Sequence, residues 1–113
     1  MKIRNGFVSN SSSTSFTIIN TSDEDKTIVD FVKENLHLVD EFNERYDWYN
    51  YTQEEAIESA EIHYSDIIFS GKEKKNVVFG DEEGTVLGRI FDYILRDGGA
   101  SENFTWEFDQ YYR

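Results

Sequence analysis

The sequence predicts an α+β domain: a two-layer sandwich in which a small, mainly antiparallel sheet packs with about three helices in the order β-α-α-β-β-α-β. Three observations predict it. Apolar residues between Val86 and Leu95 recur at helical spacing, whereas those between Phe104 and Phe108 alternate at strand spacing. Strand-like and helix-like stretches interleave along 113 residues, too few for a doubly wound sheet.

Taken in order, Phe16-Thr17-Ile18-Ile19-Asn20 is β-branched and aromatic and reads as a buried strand. Ser22 followed by Asp23, Glu24 and Asp25 reads as a helix N-cap with carboxylates at the positive end of the dipole. Ile28, Phe31, Val32, Leu36, Val39 and Phe42 then step by three and four, which extends this helix to about Tyr46, with Asn35 and His37 loosening its middle. Residues 47–51 carry no stripe and read as a loop. Thr52-x-x-Glu55 is a capping-box pattern that opens a second helix, with Ala56, Ile57 and Ala60 inward.

Asp66–Phe69 and Asn76–Gly80 outline two strands, expected as a hairpin around the turn Ser70-Gly71-Lys72-Glu73-Lys74-Lys75. Gly80-Asp81-Glu82-Glu83-Gly84 is a turn into the third helix, whose stripe is Val86, Leu87, Ile90, Phe91, Ile94 and Leu95. Gly98 and Gly99 end it. In the last strand Phe104, Trp106 and Phe108 share one face, and Phe91, Ile94, Trp106 and Phe108 are the expected centre of the core. The division expected from these elements is a polar, Ser-rich leader over residues 1–15 and a single domain over 16–113.

Composition narrows the functional classes. Cysteine is absent, so disulfides, thiolate zinc sites and cysteine nucleophiles are excluded. The head has only scattered Ile3, Phe7 and Val8 before its polar run, short of the apolar stretch of about 7–15 residues that a signal peptide uses. Nothing approaches the roughly 20 apolar residues of a membrane span. A cytoplasmic protein is expected. The net charge of −12 disfavours direct binding to nucleic acid or to an anionic membrane, and favours basic protein partners and a monomer or weak homo-oligomer. Much of the excess lies between Asp40 and Asp66, where nine carboxylates face Arg45 alone.

Met1 to Phe16 runs from a basic and apolar head, Lys2-Ile3-Arg4-Asn5, through Gly6-Phe7-Val8-Ser9-Asn10 into Ser11-Ser12-Ser13-Thr14-Ser15-Phe16. This resembles a leader shared by small, uncharacterised proteins of bacteriophages and bacteria. Gly98-Gly99 followed by Phe104-x-Trp106-x-Phe108 resembles the closing strand of some of them. The resemblance implies a lineage, with a host cytoplasm as the setting if the chain is phage-encoded, and it implies no activity. Thr14 inside the serine run departs from the leader pattern.

Candidate catalytic patterns are weak. Glu34-x-x-His37 copies half of a di-iron helix motif, but His63 lacks the matching carboxylate three positions earlier. Gly80-x-x-x-Gly84 lacks the lysine of a phosphate loop and carries Asp81, Glu82 and Glu83 inside it. No serine stands in a nucleophile elbow. No enzyme activity, metal or cofactor is therefore expected.

The strongest interaction signal is Tyr46-Asp47-Trp48-Tyr49-Asn50-Tyr51, four large aromatics beside carboxylates that include Glu54, Glu55 and Glu58. Tyr and Trp give contact area at small entropic cost; the alternative is a loop that folds its rings over the core edge. The expectation is a small, non-enzymatic, phage-type accessory protein that binds a basic partner through this acidic, aromatic surface, as an inhibitor or nucleic-acid mimic would. The rival is a structural or packaged phage protein in which Gly6, Phe7, Val8, Ser9, Asn10, Ser11, Ser12 and Ser13 form a tag for recognition, processing or modification.

Overall fold

A computed structural model describes residues 13–46, 50–80 and 85–112. Strand β1 runs Ser13–Asn20 and a short β2 covers Lys26–Thr27. Helices α1 (Ile28–Glu34), α2 (His37–Arg45) and α3 (Gln53–His63) follow. Then come β3 (Ile68–Phe69), β4 (Lys74–Gly80), α4 (Val86–Ile94), a 3-10 turn over Leu95–Asp97, β5 (Gly99–Ala100) and β6 (Phe104–Tyr112). The fold is α+β, with a four-stranded antiparallel sheet in the order β4-β1-β6-β5 packed against four helices among the described residues.

The two layers follow from the period of two in β1. Thr14, Phe16, Ile18 and Asn20 all have no exposed surface. Their neighbours on the same face are Val77 and Phe79 of β4 and Phe104 and Trp106 of β6. Helices cover this face: α1 contributes Ile28, Phe31 and Val32, α2 contributes Leu38, Val39 and Phe42, and α4 contributes Leu87, Ile90, Phe91 and Ile94. Phe31 is central, with the rings of Phe91, Phe104 and Trp106 edge-on to it at 5.6, 5.2 and 5.3 Å, the geometry that aromatic quadrupoles favour.

Several expectations are met, and others change. The capping box at Thr52 and Glu55 is present with both of its hydrogen bonds. The expected first helix is two helices. Its N-cap is Thr27, which forms a capping box with Asp30. Ser22 instead donates its backbone N–H and hydroxyl to Asn20 Oδ1 in the preceding turn. The apolar stripe continues across the break, which is why periodicity alone does not mark it. Asn35 ends α1 in a non-helical conformation and turns its side chain back to the Phe31 carbonyl, the local competition with the backbone that Asn favours.

The expected hairpin between residues 66–69 and 76–80 is not formed. β3 pairs with β2, Lys26 opposite Phe69, and β4 pairs with β1, Phe16 opposite Val77. Strand β1 starts at Ser13, not at Phe16, so Thr14 and Ser15 belong to the buried sheet and not to a polar spacer. In β6 the register to β1 jumps from Phe108 to Gln110, leaving Asp109 as a bulge. A bulge bends its strand and re-aims side chains, and Phe108 is 38% exposed where a core position was expected. Phe91, Ile94 and Trp106 are buried as expected.

Gly98 adopts φ +73°, a left-handed conformation that suits glycine. A Cβ on Gly99 would stand 2.5 Å from the Trp106 indole, so the bare backbone here lets β5 lie against the ring.

Candidate functional site

The acidic segment lies on the solvent side of α2 and α3. Both helices bury one stripe, Leu38, Val39 and Phe42 in α2 and Ala56, Ser59 and Ala60 in α3. Helical spacing therefore places Asp40, Glu41 and Glu44 of α2, and Glu54, Glu55, Glu58 and Glu61 of α3, on exposed positions. Gln53 ties the starts of the helices together, donating from Nε2 to Asp40 Oδ2 at 3.1 Å. Arg45 approaches Asp97 at 3.8 Å, and His37 Nε2 lies 3.9 Å from Glu41.

The aromatic segment divides. Tyr46 and Tyr51 are half-buried and pack on Phe42, with ring centroids at 5.0 and 6.0 Å. Tyr46 also meets Tyr93 at 5.5 Å. Asn43 clamps Tyr51 by both backbone groups, Nδ2 donating to its carbonyl at 2.7 Å and Oδ1 accepting from its N–H at 3.0 Å. Arg89 donates to the Tyr51 hydroxyl at 2.7 Å. These two tyrosines thus cap the core edge and present only part of their rings. Asp47, Trp48 and Tyr49 lie outside the described residues, as do Gly6, Phe7, Val8, Ser9, Asn10, Ser11 and Ser12 of the leader and the acidic turn 81–84. Ser13 enters β1.

The Glu34-x-x-His37 spacing does not put two ligands on one helix face. Glu34 ends α1 and His37 begins α2, with the break between them. The Glu34 carboxylate instead fastens the turn before β6, accepting from the Ser101 hydroxyl, from the Asn103 backbone N–H at 2.9 Å and from Asn103 Nδ2 at 2.8 Å. Burial acts to raise its pKa, yet these donors and the Lys26 charge outweigh it and hold the carboxyl below its ordinary value. Among the described residues, no group of three or more His, Asp or Glu side chains is placed to hold a metal ion.

Sequence reading missed a polar node under the sheet. Asp92, fully buried on the stripe side of α4, accepts from the Thr14 hydroxyl at 2.5 Å and from Arg96 Nη2 at 3.2 Å. Its one signal in the sequence is a carboxylate that directly follows Phe91 inside the apolar stripe of α4. Arg96 closes the node by donating from Nε to the Asp92 carbonyl at 2.7 Å and by lying 4.7 Å over the Tyr93 ring. A carboxylate satisfied by a hydroxyl and a guanidinium in this way orients helix on strand.

Among the described residues, no helix is long and apolar enough to cross a membrane. No protein-family model matches the chain, and no curated protein or solved structure is significantly similar to it.

Proposed function

We propose that this chain is a non-enzymatic protein-binding domain whose acidic α2–α3 face takes a basic protein partner. The observation that carries the reading is the exposure of Asp40, Glu41 and Glu44 on α2 and of Glu54, Glu55, Glu58 and Glu61 on α3, two helices tied at their starts by the Gln53–Asp40 hydrogen bond. A single-sign field of this kind speeds encounter with a positive surface. The residual exposed surface of Tyr46 and Tyr51 at its border, with Trp48 and Tyr49 next to them in sequence, supplies amphipathic contact. The leader's resemblance supports a phage-type accessory role in a host cytoplasm, where such a surface would inhibit a host factor or mimic its nucleic-acid ligand.

The test is a pull-down from bacterial lysate at low and high salt, comparing the wild type with Trp48→Ala/Tyr49→Ala and Glu41→Lys/Glu58→Lys variants. A basic partner retained at low salt, released by salt and lost from both variants is the expected result, because exposed charge pairs are screened over about 8–10 Å at physiological ionic strength. A partner that charge reversal leaves bound, or one held only through residues 6–13, overturns the reading in favour of a tagged structural protein.

A further inference from the structure

A shallow groove of about 180 Å³ opens between α3 and the start of α4, lined by Glu55, Glu58, Ser59, Ile62, His63, Thr85 and Val86. That volume is below the roughly 300–1,000 Å³ of pockets that enclose a drug-sized ligand or cofactor, and it matches a single long side chain. Its chemistry has two parts. Ile62 is 65% exposed, the most exposed of the large hydrophobic residues described, and with Val86 it supplies apolar wall. Glu55, Glu58 and Ile62 stand three and four positions apart, so the two carboxylates and the aliphatic side chain form one ridge of α3.

The base of the groove is already satisfied. Ser59 Oγ accepts from the Leu87 N–H at 3.1 Å, and Thr85 Oγ1 accepts from the Gly88 N–H at 2.9 Å while bonded to the Tyr64 hydroxyl at 2.9 Å. The first turn of α4 is therefore capped. Its dipole offers about half a positive charge against two whole carboxylates, so the groove is set for a cation and not for an anion. Among the described residues, no cation lies within ion-pair distance of Glu55 or Glu58.

We infer that this groove is the contact on the acidic face that receives one arginine or lysine side chain of the basic partner, its methylene stem on Ile62 and Val86 and its charged head on Glu55 and Glu58. Long basic side chains are suited to such a site, because they cover apolar surface with their stems while the head stays at the rim. The inference rests on the acidic-face reading and adds a position and a side-chain class to it.

The probe is a hexa-arginine peptide, titrated at low ionic strength and at pH 8, above the ordinary histidine range. Binding is followed by amide chemical shifts and by calorimetry. Ser59, Ile62 and Val86 should shift most, and a Glu58→Gln/Ile62→Ser variant should bind about tenfold more weakly. Both replaced side chains are exposed, so thermal unfolding of the variant should match the wild type and shows that the loss is local. Glu41→Gln/Glu44→Gln removes two charges away from the groove, against one in the groove variant, and should cost less than about twofold. Equal losses in the two variants overturn the groove while leaving the acidic face standing. No peptide binding by the wild type overturns both, whereas groove binding without any basic protein partner overturns only the larger reading.

Discussion

Thr14 donates its hydroxyl to Asp92 at 2.5 Å across 78 positions of sequence, joining the first described strand to the last helix inside the core. Both side chains are fully buried. Hydrogen bonds to a charged group contribute about 1.5–3 kcal/mol, and a buried charge that loses a partner is left with the desolvation penalty. Thr14→Val should therefore lower stability by roughly 2 kcal/mol, read from urea unfolding. Deleting residues 2–14 should lower the melting temperature for the same reason, by about 4 °C per kcal/mol in a domain of this size. An unchanged melting temperature would mean that the node contributes nothing and that the segment is a dispensable leader.

Glu34 gives the fold an acid-sensitive fastening. Its folded pKa lies below its ordinary value of 4.5, so its carboxylate stabilises the fold above that value, and the contribution is lost as pH falls through the folded pKa. The stability difference between wild type and Glu34→Gln should be greatest near neutrality and shrink progressively below about pH 4.5. Urea unfolding of both proteins between pH 3 and 7 checks this, and a constant difference contradicts it.

Asn20 ties three segments together. Its Nδ2 donates to the carbonyls of Glu24, Phe69 and Ser70 at 2.6, 3.3 and 3.1 Å, while its Oδ1 accepts from Ser22. Asn20→Asp puts an acceptor against those carbonyls in a position with no exposed surface. The cost should exceed about 2 kcal/mol and be greater than that of Asn20→Ser, measured by the same unfolding assay.

Ile94 tests the core. It is 6% exposed on the buried stripe of α4, and Ile94→Ala should cost roughly 2–5 kcal/mol. A loss under about 1 kcal/mol, the range of surface changes, would place that stripe against solvent or a partner.

Within the candidate site, the carboxylates were legible because an amphipathic helix must turn its charged residues outward. The role of Tyr46 and Tyr51 was not, since four aromatics within six residues give no sign of which ring reaches Phe42. Asn43, which clamps Tyr51, carried no signal at all; its part depends on α2 passing beside residue 51.

Features that depend on neighbours within a turn or two are legible along the chain: the Thr52–Glu55 capping box, the buried stripe of α4, the glycine at the end of its 3-10 turn, and the inward face of Phe104 and Trp106. The strand partnerships come from long-range packing. Two adjacent strand-like segments carried the pattern of a hairpin, yet β3 is two residues long and closes on β2, while β4 pairs with β1, some sixty positions away in sequence. Local pattern states which face a strand buries, but not which edge it meets, because that choice depends on the burial gained by the whole sheet. The same reason hid Thr14 and Ser15. Their hydroxyls read as solvent-facing until Asp92 and Asp109, brought from the far end of the chain, supply acceptors for them.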